Sequence, residues 1–388
     1  MLGVNLALPQ IAAASRPFSP ATLFAFGEQG VWYDPSDFST MYQNSFGTTP
    51  VTAVDQPVGL ILDKRKGLAL GSELVSNGDF SNGGTGWYVG GGWTVSSGAA
   101  STAAGFTDVL YQDITVVAGR TYQIAFDLSG VSGGGVLPSL YGGTIVFGPE
   151  LTVAQRHVIH LVAASGNTAL RFFKSAAGAA FTLDNISVKE LPGNHASQTT
   201  SASRPVLKQD GNGKYYLLFD GTDDSLATGA IDFTSADKMS IFAGVRKLSD
   251  AATYMILAEL GTAWTNTGSF AVFAPGDAGT YYWGSTGSTS AAVQPSGFSA
   301  PITNVITAIG DIGADICIFR ANGTQVGSSS GDQGTGNYRS AALNIGRRNN
   351  ASSPFNGRLY SLIVRGAQSS AAQITSTETY VNSKTGAY

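Results

Sequence analysis

Apolar residues recur along this chain in short runs that are separated by clusters of Gly, Ser, Asn and Asp. Residues 121–128 show the pattern clearly. Tyr122, Ile124 and Phe126 would share one face of a strand, with polar residues nearer the other face. Similar runs follow one another about every ten residues, a spacing typical of short strands joined by tight turns. The pattern predicts an all-β protein.

The C-terminal segment departs from this pattern and predicts a helix. Ile374 and Val381 would lie on one helical face, and Ser369 or Ser370 can cap the first turn. Gly386 can end the helix, because glycine readily adopts the left-handed conformation of a helix terminus. We therefore expect one short helix after the last strand.

The strand pattern changes twice along the chain. Residues 29–71 contain a few short predicted strands, and residues 72–191 contain roughly seven, a number typical of a jelly-roll sandwich. Residues 192–388 return to the first pattern with longer strands. Residues 1–28 have three prolines and little periodicity, so we interpret them as an N-terminal arm that anchors the protein to a partner or to another copy of itself.

Composition narrows the possible functions. The net charge of −4 argues against a nucleic-acid binder, which normally carries a basic face. No apolar run approaches the roughly 20 residues of a membrane span. The N-terminal segment lacks the basic start and sustained apolar stretch of a signal peptide. The single cysteine, Cys317, lies in an apolar run and is predicted to be a buried thiol.

Four motifs after residue 192 carry a resemblance to a known fold. They are LLFDGTDDSL (217–226), SIFAGVRK (240–247), LNIGRRN (343–349) and FNGRLYSLIVRG (355–366). In their order and spacing they resemble laminin-G-like, concanavalin A-type sandwiches. The resemblance implies that the Phe-Asp-Gly turn closes an early hairpin and that the last motif returns to pair near the start of the domain.

A second resemblance covers residues 72–191. Its motifs are LVSNGDFS (74–81), VVAGRTYQIAFDLSG (116–130) and FTLDNISV (181–188), with Gly86-Trp87 soon after the first. Together they resemble carbohydrate-binding modules of the galactose-binding-like jelly-roll type. The resemblance implies a β-sandwich in which Trp87 belongs to the core.

A third resemblance concerns the domain order. Residues 31–64, from VWYDPSD to LILDK, look like the opening of laminin-G-like domains that are common in tailed-phage structural proteins. In those domains the LDK phrase runs directly into a phrase such as GNHASQ, which begins here only at residue 193. We therefore predict a discontinuous laminin-G-like domain, 29–71 plus 192–388, interrupted by a jelly roll at 72–191. Residues 31–33 should then pack in the same sandwich as residues 215–219 and 359–364.

Exposed aromatic rings are the candidate carbohydrate contacts, because sugar rings stack on aromatic faces. Tyr88, Trp93 and Tyr141 lie beside Gly-rich loops of the jelly roll. Trp283 ends a run of three aromatic residues on a predicted strand, where at least one ring must point away from the core. The alternative for each ring is a place in the core.

A structural calcium ion is the one cofactor that the sequence suggests, because carboxylate oxygens suit this ion. The candidate ligands are Asp79, Asp184, Asp220, Asp223 and Asp224. The first two follow from the jelly-roll resemblance, in which calcium joins the first and last strands, although Ser81 stands where an acidic ligand is expected. For the last three, the alternative is a turn rich in Asp without a metal.

We find no motif of a hydrolase, redox enzyme or cofactor-binding loop. The resemblances predict a non-enzymatic virion structural protein of a tailed phage, in the tail, baseplate or head surface, made in the host cytoplasm. It would contact other virion proteins through the arm, bind host-surface glycan and form a homo-oligomer. The alternatives are a polysaccharide depolymerase or glycosidase with an appended binding module, which needs two carboxylates across a groove, and a secreted adhesin.

Overall fold

The structure is a computed structural model that describes residues 17–106, 108–349 and 351–388. Within these ranges nearly all regular structure is β-strand, and the α-helix is α1 (Ala371–Thr385). The predicted all-β class with a short C-terminal helix is confirmed. Residues 1–16 of the predicted arm lie outside the described residues. No helix in the described ranges is long and apolar enough to cross a membrane.

The strands are numbered in chain order. The first thirteen are β1 (Gly30–Tyr33), β2 (Met41–Tyr42), β3 (Leu60–Ile61), β4 (Tyr88–Val89), β5 (Trp93–Ser96), β6 (Ala99–Thr102), β7 (Leu110–Asp113), β8 (Thr121–Ser132), β9 (Val136–Tyr141), β10 (Val146–Phe147), β11 (Gln155–Val162), β12 (Ala169–Lys174) and β13 (Ala180–Leu191). The others are β14 (Ala196–Ser197), β15 (Val206–Gln209), β16 (Tyr215–Asp220), β17 (Leu226–Asp232), β18 (Lys238–Lys247), β19 (Ile256–Leu260), β20 (Phe270–Phe273), β21 (Tyr282–Thr286), β22 (Ser290–Val293), β23 (Ile302–Asp311), β24 (Ile316–Ala321), β25 (Thr324–Ser329), β26 (Ser340–Ile345) and β27 (Asn356–Arg365).

These strands form four antiparallel sheets. Sheet A has the order β15-β16-β27-β18-β23-β24-β25, with β1 also paired to β27, and sheet B has the order β2-β3-β14-β17-β26-β19-β20-β21-β22. Sheet C has the order β11-β8-β13-β6-β5, and sheet D has the order β10-β9-β12-β7-β4. Sheets A and B enclose one apolar core, and sheets C and D enclose another. We call these two units sandwich AB and sandwich CD.

The chain enters sandwich AB twice. Strand β1 pairs with β27, which also pairs with β16, so residues 30–33 lie in the same sheet as the strands near residues 215–220 and 356–365. Strand β3 pairs with β14 in sheet B. The chain therefore leaves sandwich AB after β3, forms sandwich CD, and returns at β14. Alternation of apolar and polar residues builds the core of sandwich CD. On β8, for example, Ile124, Phe126 and Leu128 are buried on the inward face.

Asp63 links the segment at which the chain leaves sandwich AB to the segment at which the chain returns. The buried Asp63 carboxylate accepts hydrogen bonds from the backbone N–H of Trp32, Arg65 and Asn194 at 2.8–3.0 Å. Its own backbone N–H donates to His195 Nδ1 at 2.9 Å. Burial lowers the pKa of His195 to about 4, in keeping with a neutral ring that accepts this bond. Residues far apart in sequence thus share one buried polar cluster.

Helix α1 and the described end of the N-terminal segment cover the outer face of sheet A. The 3-10 helix Pro20–Phe24 buries Leu23 and Phe24 against a cluster that includes Phe242 and Val381. A capping box begins α1, since the Ser370 hydroxyl accepts from the backbone of Gln373 and the Gln373 side chain accepts in return. The predicted buried thiol is also found, because Cys317 is free and fully buried in the core of sandwich AB.

Candidate functional site

The outer face of sheet D carries a continuous row of side chains that we call the aromatic row. It consists of Phe147, Ser139, Arg171, Tyr111 and Tyr88, which occupy directly paired positions on β10, β9, β12, β7 and β4. Alternation along each strand produces the row, because neighbouring residues point to opposite faces. On β12, for example, the side chains on either side of Arg171 in sequence are buried beneath the sheet. The face therefore presents rings and one guanidinium to the solvent side.

The rings of this face are packed against one another. Tyr88 and Tyr111 stack with ring centroids 4.7 Å apart and an angle of 24° between their planes. Tyr141, two residues along β9 from Ser139 and on the same face, packs on Phe173, which also contacts Phe147 at 5.6 Å between centroids. Tyr88 is 48% exposed, so one face of this stack is open to a ligand. Because the rings are already packed against one another, less side-chain entropy is lost when a ligand binds to them.

Arg171 lies at the centre of the aromatic row between two tyrosine rings. Its Cζ atom is 4.6 Å from the ring centroid of Tyr111 and 3.3 Å from that of Tyr141. No described carboxylate lies within 4.0 Å of its guanidinium, and its Nε is buried without a hydrogen-bond partner. Asp113 is exposed on the same face but stands opposite Ala169, in the neighbouring row. The central charge of the row is therefore not neutralised within the described protein.

A groove continues from the row along the edge of sheet D. A cleft of about 520 Å³ adjoins Tyr88 and Tyr111 and is lined by Leu74, Ser76, Gly86, Trp87, Gln112 and Asp113. A second cleft of about 660 Å³ shares Leu74 and Asp113 with the first. Gln112 holds strand β7 to the segment that contains Ser76 and so fixes one wall of the cleft. Its side chain accepts a hydrogen bond from Ser76 N at 2.7 Å and donates one to Ser76 O at 2.9 Å. The site combines a flat row with an open groove.

The structure separates the four predicted carbohydrate contacts. Tyr88 and Tyr141 lie on the face of sheet D, as described above. Trp93 does not, because it is buried against Phe181 and its indole N–H donates to the backbone of Asp108 at 3.1 Å. The prediction of an exposed sugar contact at Trp93 is therefore wrong. Trp87, which the sequence assigned to the core, is buried.

Trp283 requires the same correction. It is fully buried in the core of sandwich AB, and its indole N–H donates to Ile309 O at 3.1 Å. Alternation on the strand places Tyr281 and Trp283 inward, so Tyr282 is the residue of this run that points away from the core. A buried ring offers no face to a sugar.

Sheet B has its own aromatic cluster on its outer face, formed by Tyr254, Trp264, Phe273 and Tyr282 with centroids 5.3–5.7 Å apart. Trp264 lies over Gly284, where a Cβ atom would be 2.4 Å from its ring. The Cζ atom of Arg348 lies 6.0 Å from the ring centroid of Phe273. The guanidinium forms a bidentate ion pair with the buried Glu259, with N–O distances of 2.8 and 2.9 Å.

Three of the predicted calcium ligands lie together in the turn after β16. One carboxylate oxygen from each of Asp220, Asp223 and Asp224 lies within 4.8 Å of the others. Burial of Asp224, together with the two neighbouring carboxylates, raises its pKa to about 6. The same groups also stabilise the turn, since Asp224 accepts from Asp220 N at 3.0 Å and Asp223 accepts from the hydroxyl of Ser203 at 2.6 Å. Oxygen ligands at this spacing would suit calcium.

Asp79 and Asp184 are arranged differently. Asp79 accepts hydrogen bonds from the backbone and hydroxyl of Ser81, at 3.2 and 2.9 Å, and so closes its own turn. Asp184 accepts from Asn185 N at 2.6 Å. Neither belongs to a group of three potential ligands among the described residues. Their role in metal binding stays a prediction.

Sequence reasoning missed Arg171, the central residue of the aromatic row. Its signal was present in the run ALRFFK, where Arg171 and Phe173 alternate with the apolar Leu170 and Phe172. An arginine on the outward face of a strand is common, however, and only the pairing with Tyr111 and Ser139 reveals its position.

This chain is similar to known proteins only at the level of solved structures. No protein-family description and no curated protein matches the chain. Among solved structures, the CBM40 module of the Ruminococcus gnavus IT-sialidase bound to α2,3-sialyllactose is 14% identical, with a TM-score of 0.31, and the match covers 37% of this chain and 83% of that one. The binding domain of Paraclostridial Mosquitocidal Protein 1 is 14% identical with a TM-score of 0.35, over 48% of this chain and 49% of that one.

A structure of botulinum neurotoxin type C, whose cell entry depends on two ganglioside molecules, is 10% identical with a TM-score of 0.35 and covers 47% of this chain. The matches to these two toxins span about half the length of the toxin chains. With TM-scores this low, the likenesses carry no argument about what this chain binds.

Proposed function

We propose that this protein is a non-enzymatic glycan-binding protein and that the aromatic row of sheet D is its binding site. The observation that carries the proposal is the alignment of Tyr88, Tyr111 and Arg171 in paired positions, with Tyr141 beside them. Sugar rings present C–H groups that stack on aromatic faces and hydroxyls that bond to nearby polar groups.

The dimensions of the row suit an oligosaccharide. Adjacent strands lie about 4.8 Å apart, so five paired positions span about 19 Å. The groove beside Tyr88 extends this surface past the edge strand. Binding by such an open face is weak at one site, and display of several copies would raise it through avidity.

We further propose that the protein is a structural component of a tailed-phage virion that contacts host glycan. The support is the resemblance of residues 31–64, followed by the GNHASQ phrase at residue 193, to laminin-G-like domains that are common in tailed-phage structural proteins. The N-terminal segment would join it to other virion proteins in a homo-oligomer. Cryo-EM of the purified phage particle tests this part of the proposal, which fails if no copy of the chain is found in the particle.

A non-enzymatic role agrees with the chemistry of the outer face of sheet B. Glycoside hydrolysis uses two carboxyl groups on either side of the scissile bond. On the outer face of sheet B the buried Glu259 is held by Arg348 in a bidentate ion pair. An assay for new reducing ends during incubation with host polysaccharide should stay at the background level, and a rise would support the depolymerase alternative.

A glycan array tests the binding site directly. Wild-type protein should bind at least one host glycan, and Tyr88→Ala and Tyr141→Ala should each lose most of that signal. Tyr254→Ala is the matched control, because Tyr254 is 42% exposed on sandwich AB and Tyr88 is 48% exposed on sandwich CD. The proposal fails if no glycan binds, or if Tyr88→Ala binds as strongly as Tyr254→Ala.

A further inference from the structure

We propose that the glycan recognised by the aromatic row carries a carboxylate and that Arg171 binds this group. The inference rests on the proposed function, because it concerns the same face of sheet D. It goes further by naming the class of ligand, an acidic polysaccharide, and the residue that selects it.

The first argument is the state of the arginines in sandwich CD. Residues 72–191 contain Arg120, Arg156 and Arg171. Arg120 pairs with Glu190 at 2.9 Å, and Arg156 pairs with Asp127 at 3.0 Å. Arg171 has no carboxylate partner among the described residues, although it occupies the most central position of an outer face. In a protein of net charge −4, an unpaired cation at the centre of a ligand-sized surface favours an anionic ligand.

The second argument is the geometry of the guanidinium. Stacking between Tyr111 and Tyr141 holds its plane and removes side-chain freedom before any ligand arrives. Nε is buried, whereas the two terminal amino groups form no hydrogen bond with the described residues and are not among the buried polar atoms without a partner. These two groups are therefore the part of Arg171 that can reach a ligand. Their fork matches the two oxygens of a carboxylate.

The third argument is the distribution of charge around the row. Asp113 is exposed opposite Ala169, in the neighbouring row that also contains Tyr141. Its carboxylate disfavours a second anion on that side. The ligand carboxylate should therefore lie towards Phe147, which is uncharged, 46% exposed and paired with the buried Ser139 at the β9–β10 end of the row. A neutral sugar ring would stack on the open face of Tyr88, at the other end of the row.

The experiment compares acidic polysaccharides with their own neutral forms. Alginate, polygalacturonate, hyaluronan and polysialic acid are arrayed beside samples whose carboxyl groups have been reduced to hydroxymethyl groups. Wild-type protein should bind at least one acidic member roughly tenfold or more tightly than its reduced form, because a charge-assisted hydrogen-bonded pair would be lost. This preference should weaken as the salt concentration rises.

Arg171→Gln should abolish the preference and lower affinity for the acidic form by roughly tenfold to hundredfold. Arg156→Gln is the matched control, since Arg156 is exposed on the opposite sheet, and it should bind as the wild type does. Thermal unfolding of both variants shows that each is folded. Equal binding of acidic and reduced forms, or an unchanged preference in Arg171→Gln, overturns this inference and leaves the proposed function standing. Binding to none of the acidic or neutral glycans overturns both.

Discussion

Each sandwich places an arginine against aromatic rings on the outer face of a sheet. The two arginines differ in whether a carboxylate neutralises their charge. On sheet B, Arg348 lies near Phe273 and is neutralised by the buried Glu259. On sheet D, Arg171 is stacked between Tyr111 and Tyr141 and has no carboxylate partner among the described residues. The Arg348 guanidinium is thus paired within the protein, whereas the terminal amino groups of Arg171 can still donate hydrogen bonds to a ligand.

The comparison teaches that exposed aromatic rings alone do not define a binding site. Trp264 and Tyr282 pack on each other, and Trp264 also covers the backbone at Gly284, so much of their surface area is used inside sandwich AB. Tyr88 has one ring face on Tyr111 and is otherwise half exposed beside an open groove. The face of sheet D is therefore the better candidate, and four experiments test the contrast.

The largest expected effect is at Trp283, which tests whether sandwich AB uses its aromatic residues for stability. Trp283→Ala removes a fully buried ring and its hydrogen bond to Ile309, and should lower the free energy of unfolding by about 4 kcal/mol. Tyr282→Ala, one residue away on the outer face, should cost less than half as much. Urea denaturation of both variants provides the measurement. Equal losses would mean that the two rings are equally buried in solution.

Glu259→Ala tests whether the ion pair on sheet B is structural. The change leaves the partly buried Arg348 without its carboxylate partner and should lower the free energy of unfolding by about 3 kcal/mol. Arg171→Gln removes only a stacked, unpaired guanidinium and should cost about 1 kcal/mol or less. Thermal unfolding followed by calorimetry distinguishes them. If Arg171→Gln proved the more destabilising variant, Arg171 would be a structural residue and the contrast would fail.

Tyr88→Ala tests the binding role of the aromatic row. The loss of one stacking ring should weaken glycan binding roughly tenfold, or about 1.4 kcal/mol, with little change in stability because the side chain is half exposed. Isothermal titration calorimetry with the best glycan from the array gives the affinity. Tyr254→Ala should leave it unchanged, and a similar loss in that variant would place the ligand on sandwich AB.

The smallest expected effect is that of Asp224→Asn, which tests whether the carboxylate cluster of sandwich AB binds a metal ion. The pKa of Asp224 is raised to about 6, so its carboxylate opposes folding at pH 7, and that cost is relieved as the pH falls through 6 towards 4. The variant should therefore be more stable than the wild type at pH 7, by about 1 kcal/mol after allowing for solvent screening, and not at pH 4.

Calcium provides the second half of that experiment. If the three carboxylates bind calcium, excess calcium should stabilise the wild type by binding to the folded state, and it should do so less for Asp224→Asn. Thermal unfolding with and without the metal measures this difference. The same melting temperature in both conditions would leave the cluster as an acidic turn.

The sequence allowed the all-β class, the C-terminal helix and the buried Cys317 to be predicted, because periodicity and turn residues are local signals. It also singled out Tyr88 and Tyr141, which lie on the outer face of sheet D. It did not distinguish Trp283 from Tyr282, since a shift of one residue in strand register exchanges the two faces. Arg171 could not be found, because its importance comes from strand pairings that local sequence does not encode.

The most direct test of the account is a crystal structure of the protein with the glycan that binds best on the array. The account predicts a sugar ring on the open face of Tyr88, with a carboxylate of the ligand on the terminal amino groups of Arg171. Density for the glycan on Trp264 and Tyr282 of sheet B, with the face of sheet D empty, would contradict it.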